Sequence, residues 1–254
     1  MERSLQQQFA NIRASSTKQS ASDEKFHADR KLFAAAVGVP ELFSFIDQFG
    51  VYAGDQTIAS RLVSYEVVKS TVDVPGHIAE FGVWHGANLL FMAKVLRLLS
   101  PSTTKLVFGF DNFSGLPSAI AKDGDIALTA AGRYKGNEHV LRAAVELCGV
   151  SQSVHLVKGV ATHTIPAFEA EFPEAMVSLG WVDFDLYEPC KAALTFLKSR
   201  SAIGGVIVFD EAISSVWPGE GTAMLEFLNE SGQRFSMHAN TIGRQPVMWL
   251  TRLS

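Results

Sequence analysis

Apolar residues in this chain fall into two rhythms. Up to about residue 72 they recur at three- and four-residue spacing, as in ELFSFIDQF (41–49) and TIASRLVSYEVVKSTV (57–72), which predicts amphipathic helices. From residue 77 short apolar runs take over: HIAEFGVW (77–84), KLVFGFD (105–111), VHLVKG (154–159), MVSLGWVDFD (176–185) and VIVFDE (206–211). Such runs predict buried strands of a parallel sheet covered on both faces. GANLLFMAKVLRLL (86–99), NEHVLRAAVELCG (137–149) and CKAALTFLKSR (190–200) predict helices between them, the second ended by Gly149. The alternation implies right-handed crossovers and a doubly wound α/β sheet. RFSMHAN (234–240) and VMWLTRL (247–253) predict a terminal hairpin across TIGRQP that adds an antiparallel edge strand.

These rhythms divide the chain. Residues 1–25 are polar, rich in Ser and Gln, and are expected to form a mobile tail. Residues 26–72 are expected to form a helical cap or lid, and 73–254 a single α/β domain. One connection is out of proportion: more than forty residues separate Asp111 from Val154. Its first part, FSGLPSAIAKDGDIALTAAGRYKG (113–136), has no strong period. Long irregular connections in compact domains are usually functional. This one leaves the carboxyl end of the second strand, so it is expected to be a lid over an acceptor pocket.

Two of the strand runs stop abruptly on acids: Asp183 and Asp185 in WVDFDLYEP (181–189), Asp210 and Glu211 in GGVIVFDE (204–211). Ligands of doubly wound sheets bind at the carboxyl ends of the strands. Strand alternation would put Asp183 and Asp185 on one face. If the two strands are neighbours, four carboxylates crowd one pocket and disfavour one another's ionisation unless a cation joins them. Oxygen donors with no nearby His or Cys suit a hard cation such as Mg2+. Capping of loop and helix N–H groups is the competing use for each acid.

EFGVWHG (80–86) ends another strand on Glu80 with glycines at 82 and 86. Gly82 would allow a tight turn, and Gly86 would let a ligand approach the next helix. A third glycine of the dinucleotide fingerprint is missing, which counts against a nicotinamide oxidoreductase. An acid ahead of the first glycine suits a cofactor with a positive amino group. Asp111, ending FGFD, is placed to accept hydrogen bonds from ribose hydroxyls. His85 and His163 stand in loops near these strand ends, and Trp217 in a Trp-Pro-Gly turn.

Composition narrows the partners. Net charge is −4, with no Lys or Arg run, so nucleic acid is not expected as a partner. Cys148 and Cys190 are far apart and lack metal-ligand spacing, as expected for a reducing cytoplasm. The N-terminus lacks the apolar stretch of a signal peptide, and no apolar run is long enough to span a bilayer.

Taken in order, EFGVWHG, FGFDNFSGLP, LVKGVATHTIP, VDFDLYEP, GGVIVFDE and WPGE resemble the macrocin O-methyltransferase family over about residues 55–250. VDFDLYEPCKAAL with FDE and WPGE is most similar to its dTDP-6-deoxy-L-hexose 3-O-methyltransferase branch. The resemblance implies a class I S-adenosylmethionine-dependent methyltransferase fold, Rossmann-like, with a mostly parallel seven-stranded sheet, an antiparallel last strand and N-terminal helices. It implies that Glu80, Gly82 and Gly86 line the methionine end of S-adenosylmethionine, Asp111 holds the ribose with Phe113 and Ser114 nearby, and Gly159 and Val160 lie by the adenine. The expected cofactor set extends to Phe81, Asn88 and Asp183. Mg2+ would be held by Asp183, Asp210 and Glu211, with Asp185 as general base beside Asp183. Two positions depart from many relatives: Glu211 stands where they have Asp, and His163 where they have Asp before the Thr of the loop after the third strand.

The expected reaction is in-line methyl transfer to a sugar hydroxyl, on a nucleotide-linked 6-deoxyhexose. A lipid-linked or glycosidic sugar stays open as the carrier. A phenolic or catechol acceptor is the main alternative, and a non-catalytic nucleoside-binding subunit a third. The apolar helices before residue 72 are of a kind that can build a homo-oligomer interface.

Overall fold

The structure, a computed structural model, describes residues 48–254 and, before them, Ala21, Glu24 and Ala28 alone. Apart from Ala21 and Glu24, the expected tail lies outside the described residues, as does most of the helix expected at 41–49. The first described helices are α1 (Phe49–Tyr52) and α2 (Asp55–Thr71). Then follow β1 (His77–Phe81), α3 (Ala87–Leu99), β2 (Val107–Asp111), a 3-10 turn (Ala121–Asp123) and α4 (Gly124–Ala127). The chain continues through α5 (Glu138–Leu147), β3 (Val154–Lys158), α6 (Ala161–Glu171), β4 (Val177–Val182), α7 (Tyr187–Arg200) and β5 (Ser201–Phe209). It closes with α8 (Pro218–Glu230), β6 (Phe235–Ala239) and β7 (Met248–Arg252).

The seven strands form one sheet in the order β3-β2-β1-β4-β5-β7-β6. All neighbouring pairs up to β5 are parallel, and β7 is antiparallel to both β5 and β6. The expected hairpin forms, but β7 slots between β5 and β6. The antiparallel strand is therefore internal, and the edge strand β6 runs with the parallel set. The central strand β4 is buried at all six positions, as a strand covered on both faces must be.

Helices cover the two faces separately. Val63, Val67 and Val68 of α2 join Leu89, Met92 and Leu96 of α3 and Leu141 of α5 in one core. On the other face Ile165 and Phe168 of α6, Leu194 and Phe196 of α7 and Phe227 of α8 pack on Phe81, Phe110 and Phe209. Each such fully buried side chain contributes about 1.5–3 kcal/mol of transfer free energy, so these two cores carry the fold. A smaller cluster of Ala127, Ala130, Leu186 and Trp217 sits under the 113–136 segment. Two of its four members are alanines, so it contributes far less.

Helix boundaries follow local chemistry. Asn137 caps α5 by accepting from the Val140 N–H at 3.1 Å, and Gly149 follows its end at φ 61°. α7 begins three residues before its apolar period starts, at Tyr187. Besides the single-turn α4, two helices escaped the sequence pattern. α6 carries Pro166 inside it, and α8 starts on Pro218 and contains Gly219 and Gly221. These residues read locally as breakers; packing against the sheet overrides them.

Candidate active site

Strand register builds the site. Phe81 pairs with Phe110 on one side and Val182 on the other, and Val182 pairs with Phe209. The next residue of each strand therefore emerges at one level. The ladder continues past the strand ends, with Gly82 N–H donating to the Phe110 carbonyl, Asp183 N–H to Phe81 and Asp210 N–H to Val182. Asp183 and Asp210 are thus held side by side by backbone bonds rather than by their own side chains.

A cavity of about 420 Å3 opens above this row. Its lining includes Gly82, Asp111, Gly159, Val160, Asp183, Asp185, Asp210 and Glu211, together with Trp84, Asp123, Tyr134 and Gln245. The other expected residues lie outside the lining. Phe81 is fully buried and stacks on Phe110 with ring centroids 5.1 Å apart. Phe113 is buried in the α2/α3 core, and Ser114 is exposed. Gly86 caps α3 in the left-handed region, where a Cβ would overlap the Leu141 side chain. Its missing side chain makes room for Leu141 of α5. Gly82, at φ 100°, backs onto the Asp183 carbonyl with no space for a Cβ. His85 and His163 are exposed, and Trp217 is buried in the small cluster.

Asp183 and Asp185 do not share a strand face. β4 ends at Val182, and Asp185 turns into the left-handed region at φ 62°. The two carboxylates reach one cavity through this turn, at a residue type that tolerates it. Burial lifts the Asp183 carboxyl to about 7, with the charges of Glu211 and Asp111 adding to it. Burial, then Asp183 and Glu211, push Asp185 well above its ordinary value, and Asp210 is raised likewise by burial and its acidic neighbours. Glu211 rises to about 7 through burial, against opposing hydrogen bonds from Ser214 and Gln245.

The expected magnesium ledge is only partly assembled. Among the described residues no group of three or more His, Cys, Asp or Glu side chains stands in a metal-holding arrangement. Asp183, Asp210 and Glu211 line one cavity, but Glu211 turns one oxygen to the Gln245 side-chain N–H. Its other oxygen, Oε2, is buried without a partner among the described residues. Donor type, desolvation and this orphaned oxygen fit a hard cation; the convergence of three ligands is what is missing.

Asp111 serves the backbone. Its Oδ2 accepts from the Val83 and Trp84 N–H groups, each at 2.8 Å, and its Oδ1 from Phe113 N–H at 2.6 Å. These bonds fix the turns after β1 and β2. Glu80 lies behind the cavity wall, 2% exposed. Its Oε1 accepts from Asn88 Nδ2 at 2.8 Å, while Oε2 is buried with no partner among the described residues. Burial lifts this carboxyl to about 8.

Three acids with structural weight escaped the sequence reasoning or received no role in it. Glu220, fully buried, accepts from the Glu211 N–H at 2.7 Å and so fixes the ledge from beneath. Its only sequence signal was the WPGE motif. Asp123, 2% exposed, accepts from Tyr187 N–H at 2.6 Å and Ile120 N–H at 2.7 Å, tying the 113–136 segment to the start of α7. Glu226 binds Lys122, Lys191 and the Tyr187 hydroxyl outside that junction.

The sheet order, with β7 inserted antiparallel and acids at the strand ends, defines a Rossmann-like fold of the class I S-adenosylmethionine-dependent methyltransferases. The chain matches the macrocin O-methyltransferase (TylF) family over residues 10–249 and belongs to it. A 4'-O-methyltransferase of Streptomyces olivaceus, named for 8-demethyl-8-(2,3-dimethoxy-alpha-L-rhamnosyl)-tetracenomycin C, is 31% identical over 146 residues, 54% of this chain and 53% of that protein. The chain thus spans about half the length of the curated relatives it matches. The crystal structure of CalS11, a calicheamicin methyltransferase, superposes with a TM-score of 0.77 at 25% identity, covering 93% of this chain and 94% of that one. The O-methyltransferase NovP shares the fold, with a TM-score of 0.67 at 21% identity over 78% of this chain and 81% of that one. Among the described residues no helix is long and apolar enough to cross a membrane.

Proposed function

We propose that this protein transfers a methyl group from S-adenosylmethionine to a hydroxyl of a sugar, with a nucleotide-linked 6-deoxyhexose as acceptor and Mg2+ as a helper ion. One observation carries the proposal: Asp183, Asp185, Asp210 and Glu211 meet above adjacent strand ends in the cavity that Asp111 also lines. Family membership supports the methyl-transfer class. The name of the Streptomyces olivaceus relative describes a rhamnosyl compound, which supports a deoxysugar and keeps a glycosidic carrier open.

In this reading Glu80, with Asn88, Gly82 and Gly86, serves the cationic methionine end of the cofactor. Asp111 faces its ribose, with Phe113 and Ser114 at the same turn, and Gly159 and Val160 flank its adenine. When bound, the cofactor supplies an electrophilic methyl group and Mg2+ a charge that acidifies the acceptor hydroxyl. Asp183, Asp210 and Glu211 would hold that ion. Asp185 takes the hydroxyl proton, a role suited to a carboxyl whose proton affinity is raised by burial and by Asp183. The 113–136 segment, fastened by Asp123, shields the site from water as a lid.

A second reading, a phenolic acceptor, rests on the aromatic rim. Trp84 and Tyr134, each about half exposed, line the cavity with ring centroids 6.0 Å apart. Such a rim suits a flat ring, whether a phenol or the aglycone of a glycoside. A phenol ionises far more readily than a sugar hydroxyl, so it would tolerate loss of Asp185.

Calorimetric titration with S-adenosylhomocysteine, with and without Mg2+, followed by a panel of dTDP-deoxyhexoses, tests the proposal. Micromolar cofactor binding with Mg2+-dependent sugar binding is the expected result. Cofactor binding with no response to the metal sinks the carboxylate ledge, and no cofactor binding sinks the whole reading.

A further inference from the structure

Helix α2 reaches Glu80 through one side chain of its neighbour α3. Asn88, on the first turn of α3, donates from Nδ2 to Glu80 Oε1 at 2.8 Å. Its Oδ1 accepts from Arg61 Nη1 at 3.0 Å and is 2.7 Å from Ser64 Oγ, both on α2. A guanidinium has donors and no acceptor, so the atom of Asn88 facing Arg61 must be the oxygen. The amide cannot then turn over, and its nitrogen is committed to Glu80. Ser64, fully buried, has one hydroxyl hydrogen and two acceptors in reach, Asn88 Oδ1 and the Ser60 carbonyl. It is therefore the junior partner.

We propose that Arg61 and Ser64 are positioning residues for the cofactor site, which lock Asn88 so that Glu80 keeps Oε1 occupied and presents Oε2 to the cationic amino end of the cofactor. The relay rests on the methyl-transfer reading above, and specifically on Glu80 as the acid that meets an ammonium group. Two independent features support it. Glu80 Oε2 is a buried carboxylate oxygen without a partner among the described residues, which a structure retains at a cost unless a ligand completes it. Arg61 is seated where it cannot swing freely, with its guanidinium 5.5 Å from the centre of the Phe91 ring. Without Arg61 the amide can flip and turn its oxygen toward Glu80. That would leave the carboxylate with no donor at Oε1 and free to rotate away from the ligand.

The predicted signature is selective. Titrate the full chain and the variants Arg61→Leu, Arg61→Lys and Ser64→Ala with S-adenosylhomocysteine and with 5'-methylthioadenosine, which keeps the adenosine but lacks the amino-acid end. Arg61→Leu should weaken S-adenosylhomocysteine by about tenfold, the scale of one charge-assisted hydrogen bond, and Ser64→Ala by about threefold. Both should bind 5'-methylthioadenosine within about twofold of the parent, and Arg61→Lys should recover most of the loss. In parallel, the Asn88 side-chain amide signals, assigned by their disappearance in Asn88→Asp, should shift in Arg61→Leu and stay in place in Arg61→Lys. Equal losses on both probes would mean a structural role only and overturn the relay, as would unchanged affinity or an unmoved Asn88 signal. A parent protein that binds neither probe would overturn the cofactor reading on which the relay rests.

Discussion

Four non-glycine residues among those described have positive φ: Trp84 at 50°, Phe113 at 57°, Tyr134 at 57° and Asp185 at 62°. All follow strand ends or lie in the segment above them, and three of them line the cavity. Left-handed backbone costs an ordinary residue about 1–2 kcal/mol, less for Asp and Asn. Strain gathered in this way marks a place where side-chain direction matters more than local comfort. It also selects the cleanest substitution. Asn tolerates the left-handed region as Asp does, so Asp185→Asn removes the proposed proton acceptor and leaves the turn. Turnover of a sugar acceptor should fall by at least about a hundredfold, the scale of general-base catalysis, with S-adenosylhomocysteine affinity within about twofold. Unchanged turnover in a stopped assay would remove Asp185 from the mechanism; a small loss confined to phenolic substrates would favour the second reading. The acids themselves were legible in sequence, because an apolar run that ends on carboxylates has few other uses. What was not legible was how Asp185 reaches the cavity. Strand alternation gave the right pair for the wrong reason, since the strand ends at Val182.

At the scale of elements, the 113–136 segment is the least locally determined part of the site. Its sequence has no period, yet it closes on itself, with Leu116 N–H donating to the Arg133 carbonyl and Gly132 N–H to the Leu116 carbonyl. It is then fastened by Asp123 to α7. Asp123→Ala should leave the buried Tyr187 N–H, and the Ile120 N–H beside it, without their acceptor and lower stability by roughly 1–3 kcal/mol. Protease cutting within 113–136 should speed up before global unfolding is seen, because the small alanine-rich cluster beneath holds weakly. Cutting at the parent rate would show that the segment is held by something other than this carboxylate. The strands and α2, α3 and α5 could be read from hydrophobic spacing, since that spacing is the burial pattern itself. α6 and α8 could not, because Pro166, Gly219 and Gly221 oppose helix locally and only the sheet beneath decides for it. The Arg61–Asn88–Glu80 chain was equally hidden: it depends on how α2 docks on α3, which no single element encodes.

The molecule as a whole concentrates buried acid at one end of its sheet, and this couples its stability to pH. Glu80 rises to about 8 by burial, and Asp183 and Glu211 to about 7, from ordinary values near 4. Between about pH 4 and pH 8 the folded state therefore holds protons that the unfolded chain has released. Where the folded state binds more protons, stability falls as pH rises. The ligand-free protein should thus melt at a lower temperature at pH 8 than at pH 5. The half-buried Glu226 acts elsewhere. Its carboxyl, held down to about 2 by hydrogen bonds from Lys122, Tyr187 and Lys191, contributes stability that is lost only as pH falls below the ordinary carboxylate range. A cation on the ledge would reverse the penalty, since it would bind the ionised acids of the folded state and not the open chain. Millimolar Mg2+ should therefore raise the melting temperature little at pH 5 and by several degrees at pH 8, flattening the profile. Asp210→Asn should abolish the added response while leaving the Glu80 part of the slope. If Mg2+ shifts the melting curve equally at both pH values, or not at all, these carboxylates do not form a metal site. The proposed base Asp185 would then have to take the acceptor's proton without help from an ion.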